Sequence, residues 1–213
     1  MKLRDTFSDD IQNIIFDMGN VLIDLDIPAT VRAFAALNVG GLRPEDIHPL
    51  TIGLFLEYEL GNIDDSGFIA AIRETYDCSG VTDAELFAAW NAMLSDVDLR
   101  RFALLEKLKE NYRLFVLSNT NEGHIRHVKE LFREASGGRE FESFFERCFY
   151  SHDMHLRKPD PEIYRQVIRE TGVDPEKTLF IDDNACNISP AAALKLKTHC
   201  LAVGKETIRD LFH

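Results

Sequence analysis

Three short apolar runs constrain this chain more than any other feature, because each stops at a polar group able to do chemistry. Residues 13–16 run into Asp17, residues 114–117 into Ser118 and Asn119, and residues 178–181 into Asp182 and Asp183. Runs this short, continuously apolar and rich in Ile, Val and Phe are the pattern of strands buried on both faces of a parallel sheet. Helical periodicity separates them. Residues 99–111 place Leu99, Phe102, Leu105 and Leu108 on one face. Residues 161–171 open on a proline, carry Ile163, Val167 and Ile168, and stop at Gly172. Further strands are predicted at 148–151 and 199–203. The alternation predicts an α/β fold, a doubly wound (Rossmann-like) parallel sheet with right-handed crossovers. Ligands of such sheets sit at the carboxyl ends of the strands. That edge would gather Asp17, Ser118, Asp182 and Asp183 from distant parts of the chain.

Residues 24–97 break the alternation. Helix-like segments at 29–37, 51–60, 68–76 and 83–94 follow one another with turn signals between them. Gly61 is placed to end one helix, and Asp64 or Asp65 to cap the next. The stretch is too long for one crossover, so it reads as an inserted all-helical cap domain above the sheet edge. The division expected is a catalytic core at 11–23 and 98–213, a cap at 24–97 and an N-terminal tail at 1–10. Trp90, Phe55, Phe68 and Phe87 are expected to form the cap's own core, with a few facing the substrate.

Composition narrows the function classes. The 213 residues carry 24 Lys+Arg against 36 Asp+Glu, a net charge of −12, which disfavours a general nucleic-acid binder. No apolar run approaches the ~18–20 residues that span a bilayer. Residues 1–10 hold no signal-like apolar stretch, and Cys78, Cys148, Cys186 and Cys200 are scattered without a CxxC pair. Reduced thiols and a cytoplasmic protein are expected, with no membrane, nucleic-acid or protein partner. The His124/His127 and His152/His155 pairs have zinc-compatible spacing but no convincing third ligand, and are read as surface residues.

Asp17, Ser118, Lys158 and the Asp182–Asp183 pair each have a task in phosphoryl transfer. A carboxylate can attack phosphorus and form an aspartyl-phosphate. Clustered carboxylates hold Mg²⁺. A lysine neutralises the nucleophile and the transferring group, while a hydroxyl and nearby amides hold the remaining oxygens. Carboxylates packed together without cations push one pKa upward.

Four motifs stand in order: Phe16-Asp17-Met18-Gly19-Asn20-Val21-Leu22, Leu117-Ser118-Asn119-Thr120, Arg157-Lys158-Pro159-Asp160 and Phe180-Ile181-Asp182-Asp183-Asn184. From residue 11 onward the chain resembles the haloacid dehalogenase-like hydrolase superfamily, and its first motif is similar to that of the phosphatase branch containing bacterial α-glucose-1-phosphate phosphatases. The resemblance implies Mg²⁺-dependent hydrolysis of a small phosphorylated metabolite, with a sugar phosphate favoured. It implies Asp17 as nucleophile and metal ligand, the carbonyl of Gly19 as a second ligand, and Asp183 as the acidic ligand of the fourth motif. Asp182 would act beside it, through water or through Lys158. Lys158 would be catalytic and phosphate-binding, and Ser118 and the Asn119 amide would bind phosphate.

One departure from the family matters. Most of its phosphatases carry a second aspartate two residues after the nucleophile, as acid for the leaving group. Here Gly19 stands in that place. General acid–base catalysis is worth ~10²–10⁴-fold, so either a cap group replaces it or the substrate has a better leaving group. Asp24, Asp26 and His48 are nameable replacements, and a sugar 1-phosphate is the leaving-group answer preferred here. Receiver domains of two-component signalling use a similar set, but in a different order and a shorter chain. A dehalogenase needs no Mg²⁺, so the acidic pair speaks for phosphate. A non-catalytic phosphate-binding protein is the competing class, motivated by Gly19. No GxxxxGK[ST] loop is present.

Overall fold

The structure is a computed structural model that describes residues 2–4, 7, 10–37, 39, 47–94 and 97–213, the side chains of 47–52 excepted. Five strands form one sheet: β1 (Asn13–Phe16), β2 (Arg113–Ser118), β3 (Arg147–Tyr150), β4 (Thr178–Asp182) and β5 (Lys197–Cys200). The order is β3-β2-β1-β4-β5 and every pairing is parallel. Chain order turns outward in opposite directions on the two sides of β1. The crevice between β1 and β4 is therefore the switch point where this architecture receives ligands. Phe16 is in register with Ile181 and with Val116. Asp17 and Asp182 consequently emerge side by side, with Ser118 one strand away.

Continuous apolarity of the strands follows from burial on both faces. Ile14, Phe16, Val116 and Ile181 point into one cluster, closed by α5 (Leu99–Leu108) and α6 (Glu122–Ala135). Ile15, Phe115, Leu117 and Phe180 point into the other, closed by α8 (Pro161–Thr171) and α9 (Ala185–Ala193), where Ile163, Tyr164 and Val167 are buried. A four-residue helix, α7 (Ser151–Met154), follows β3 directly, so the third strand ends before Ser151. The last strand begins at Lys197, two residues earlier than its apolar character suggested, because its residues are only partly covered at the sheet edge. Gly172 closes α8 with φ 64°, a left-handed position that glycine occupies without a Cβ clash. Part of the N-terminal segment packs on this core: Leu3 pairs with Phe212 and is buried.

The cap consists of α1 (Ile27–Ala36), α2 (Ile47–Glu59), α3 (Asp65–Thr75) and α4 (Asp83–Asn91). Asp64 caps α3 through the Gly67 N–H at 2.8 Å, and a reciprocal Thr82–Glu85 capping box opens α4. The helices enclose their own cluster, with Phe34, Tyr58, Phe68, Ile72, Leu86 and Trp90 buried, and Phe55 and Phe87 packed against it. The segment 139–147 contributes Phe141, Phe144 and Phe145 to the first sheet cluster. Phe102 meets Phe132 there at 4.4 Å between ring centroids. Among the described residues no helix is long and apolar enough to cross a membrane.

Phe132 is fully buried at the centre of that aromatic group. Phe132→Ala should lower unfolding free energy by about 3–5 kcal/mol, read from urea denaturation. A loss under about 1 kcal/mol would show that the cluster collapses around the gap.

Candidate active site

Lys158 is drawn under the sheet edge by the loop before α8, and its side chain is 1% exposed. Its ammonium lies 2.8 Å from Asp17 Oδ1 and 2.7 Å from Asp182 Oδ2. Asn119 fixes the backbone of this lysine with two bonds: its Nδ2 donates to the Lys158 carbonyl and its Oδ1 accepts from the Lys158 N–H, both at 2.8 Å. The end of β2 thus locates a side chain that serves β1 and β4. Ser118 is buried beside it, and the Ser151 hydroxyl clips the neighbouring loop through the Thr120 N–H and carbonyl at 2.9 Å each.

The three carboxylates differ in what they hold. Asp182 is fully buried and accepts from the Asn184 N–H at 2.8 Å, from Asn187 Nδ2 at 3.0 Å on each oxygen, and from Lys158. Asp17 Oδ1 accepts from the Met18 N–H at 2.7 Å and from Lys158. Asp183 Oδ2 accepts from Asn20 Nδ2 at 2.8 Å. Among the described residues Asp17 Oδ2 and Asp183 Oδ1 accept no hydrogen bond. One oxygen from each of Asp17, Asp182 and Asp183 lies within 4.8 Å of the others.

Electrostatics follow from this packing. Burial pushes the Asp17 carboxyl up to about 6; the Lys158 charge pulls it back and the Asp182 charge adds to the rise. Burial opposes the charge on Lys158, but Asp17 and Asp182 outweigh it and hold the ammonium above its ordinary pKa. Two negative groups around one buried cation leave an excess of negative charge at an edge that already carries Asp183.

The turn after β1 decides what stands next to Asp17. Met18 O accepts from the Leu22 and Ile23 N–H groups, and Asn20 adopts φ 55°, donating its N–H to Ile23 O at 2.7 Å. The Asn20 side chain joins Asp183 to the Leu25 N–H, the latter at 3.2 Å. This turn brings Leu25 over Gly19. A Cβ on residue 19 would sit 2.8 Å from Leu25 Cδ1, so leucine occupies the space a side chain there would need.

The site opens into a cavity of about 780 Å³ between sheet and cap, lined on the core side by Asp17, Ser118, Asn119, Lys158 and Asp183. The sequence-derived set therefore converges on one edge, and all of it except the sealed Asp182 lines the cavity. The nameable replacement acids do not join it. Asp24 pairs with Arg101 at 2.7 Å and Asp26 with Arg32 at 2.8 Å, and neither lines the cavity. The His48 side chain lies outside the described residues. His124, read as a surface residue, is instead buried against Trp90, stacked at 4.6 Å between centroids and lowered by burial to about 4. His152 is also mostly covered, its Nδ1 3.2 Å from the Thr120 carbonyl. Sequence reasoning missed Asn20 and Asn187 as orienting groups. Asn at a tight turn is the one signal that pointed to the first, and nothing in spacing alone marked the second.

Comparison with known proteins places this geometry. The chain is 30% identical to a D-ribitol-5-phosphate phosphatase of Bacteroides thetaiotaomicron over 88% of its own length and 90% of that protein's. Its structure is similar to that of a haloacid dehalogenase-family enzyme of Bacteroides thetaiotaomicron in complex with magnesium and inorganic phosphate. There the TM-score is 0.83 at 34% identity, covering 92% of this chain and 96% of the other. A hydrolase of the same kind from Porphyromonas gingivalis gives 0.84 at 32% identity, covering 94% and 95%. These relatives do not show a specific similarity to α-glucose-1-phosphate phosphatases. Residues 11–195 match the haloacid dehalogenase-like hydrolase family as a unit, which takes in β1, the inserted cap and the acidic edge, and the chain belongs to that family.

Proposed function

We propose that the chain is a phosphomonoesterase that requires Mg²⁺ and passes through an aspartyl-phosphate on Asp17. The observation carrying this reading is the buried Lys158 ammonium held between Asp17 and Asp182, with the partly open carboxylate of Asp183 alongside. The relative named as a phosphatase and the magnesium- and phosphate-bound relative support it.

The residues fit a hard divalent cation. Carboxylate oxygens outnumber the cationic charge, and Asp17 Oδ2 and Asp183 Oδ1 are the two left without protein donors. Asp17, Asp183 and the Gly19 carbonyl would hold the ion. Asp182, already met by four hydrogen bonds, would serve as the anchor of Lys158 and Asn187. When bound, Mg²⁺ supplies positive charge for the carboxylates and for the phosphoryl oxygens.

The chain's own groups do the rest. Asp17 attacks phosphorus as the ester P–O bond breaks, and the electron pair leaves on the ester oxygen. Lys158 keeps the attacking carboxylate ionised and in place and neutralises charge on the transferring group. Ser118 and the Asn119 N–H hold phosphoryl oxygens, since the Asn119 amide side chain is engaged with Lys158. Water then attacks the phosphoryl-aspartate and releases phosphate and Asp17. Of its two protons, one ends on the departed alcohol and one on phosphate. A sugar phosphate is the substrate expected from sequence resemblance, and the D-ribitol-5-phosphate relative is consistent with it, whereas the apolar wall of the cavity favours a different leaving group.

Asp17→Asn should reduce Mg²⁺-dependent phosphate release by at least about 10³-fold with an unchanged circular dichroism spectrum. Retained turnover would remove Asp17 as the nucleophile. In chelator the same variant should melt above wild type at neutral pH. A folded-state pKa raised from 3.8 to about 6 makes the ionised carboxylate a penalty above that pH, and the penalty fades as pH falls toward 4. The gain should be roughly 2–4 °C for each kcal/mol relieved, and a lower melting temperature would contradict it. Asp183→Ala should raise the Mg²⁺ concentration for half-maximal rate by roughly tenfold or more. An unchanged metal response would refute that ligand assignment.

A further inference from the structure

Two independent features of the cavity bear on what leaves when phosphate is transferred. The first is its wall. Opposite the acidic edge, the cap side is made by Leu25, Ile27, Val31, Phe55, Trp90 and Met93. Ile27 and Val31 are one helical turn apart on α1, and Ile27 keeps 58% of its surface exposed at the mouth, an unusual place for a large aliphatic side chain. The polar groups on this side have protein partners, Glu59 through Oε2 alone. Thr30 Oγ1 donates to the Trp90 carbonyl at 2.9 Å and accepts from the Met93 N–H at 3.1 Å. His124 lies with its ring nitrogens 3.3 Å from Asn121 Nδ2 and 3.4 Å from the Trp90 carbonyl. Glu59 is held by Arg157 at 2.9 Å. A polyol buried here would strand hydroxyls against carbon, each at a desolvation penalty. An apolar group would gain contact along the whole wall.

The second feature is Leu25 over Gly19. The position from which a side chain could protonate the leaving oxygen is filled with an aliphatic group, and Asp24 and Asp26 are turned into ion pairs outside the cavity. Among the described residues the one carboxyl on the cap side of the cavity, Glu59, is ion-paired to Arg157, so there the departing oxygen tolerates its negative charge until water protonates it. A phenol does so far better than an aliphatic alcohol: the tyrosine phenol ionises near pH ~10, against ~15.7 for water.

We propose, resting on the phosphomonoesterase reading, that the substrate is an aryl phosphate whose ring packs against Ile27, Phe55 and Trp90 and leaves as a phenolate. The P–O(aryl) bond breaks as the Asp17–phosphorus bond forms, and the phenolate takes its proton from water. Wall and leaving group predict separate kinetic signatures, because contact made equally before and during reaction appears in KM and leaving-group stability in kcat.

The test measures phosphate release with Mg²⁺ from phenyl phosphate, cyclohexyl phosphate, D-ribitol 5-phosphate and glucose 1-phosphate, with Asp17→Asn as blank. Phenyl and cyclohexyl phosphates should share a KM roughly tenfold or more below the two polyol esters. Phenyl phosphate should exceed cyclohexyl phosphate in kcat by about 10²-fold or more. Ile27→Asn, at the exposed lip, should raise KM for phenyl phosphate by roughly 3- to 10-fold and leave inhibition by inorganic phosphate unchanged. Polyol esters ranking first, equal kcat for the two ring esters, or no response of KM to Ile27→Asn would each overturn the proposal while leaving the phosphomonoesterase reading intact. Absence of Asp17-dependent release from every ester would instead overturn that reading.

Discussion

An ammonium group buried between two carboxylates is the interaction on which the rest of this structure depends. Taking Lys158 out of water would be prohibitive alone, and so would burying Asp17 and Asp182 without it. The three make one another possible, and they come from β1, β4 and the loop before α8. The strands must therefore be parallel and in register to within a residue for the charges to meet. Asn119 and Asn187 complete the arrangement by satisfying the lysine backbone and the remaining Asp182 oxygens. The geometry of the charged site and the fold are in this sense the same constraint.

The neutralisation is partial by design of the packing. Asp17 remains strained by burial and by its neighbour Asp182, which leaves a carboxylate readily stabilised by added positive charge. Asp183, in the bend one residue beyond the buried anchor and past the end of β4, lines the cavity. Adjacent aspartates thus take opposite tasks: one sealed in hydrogen bonds, the other open.

The cap contributes a surface of a different chemical kind. Its helices build a small aromatic core of their own, and the edge of that core, Trp90 with Phe55 beside it, becomes the ceiling of the cavity. Leu25 belongs to the same apolar surface and reaches the reacting edge because the turn at Asn20 delivers it there. The glycine in the first motif is therefore matched to a leucine six residues later, and the site is polar on the acidic side and apolar on the other.

How much of this was legible beforehand depends on the range of the interaction. The apolar runs, the proline and glycine bounding α8 and the polar residues ending each strand are local, and local sterics with two-sided burial write them directly into sequence. The β3–α7 boundary and the start of β5 were displaced because edge strands are half covered and carry weaker patterns. His124 was misplaced as a surface residue for a related reason: its burial comes from a cap helix far away in the chain, against Trp90. By itself the sequence determined the parallel α/β class, the inserted helices and the identity of the acidic edge with Lys158. Only tertiary structure decided which aspartate is sealed and which is open, that Asn20 and Asn187 orient them, that Asp24 and Asp26 face away, and that Leu25 fills the space above Gly19. Those outcomes depend on side chains from separate elements sharing a few ångströms of space, which no spacing along one chain encodes.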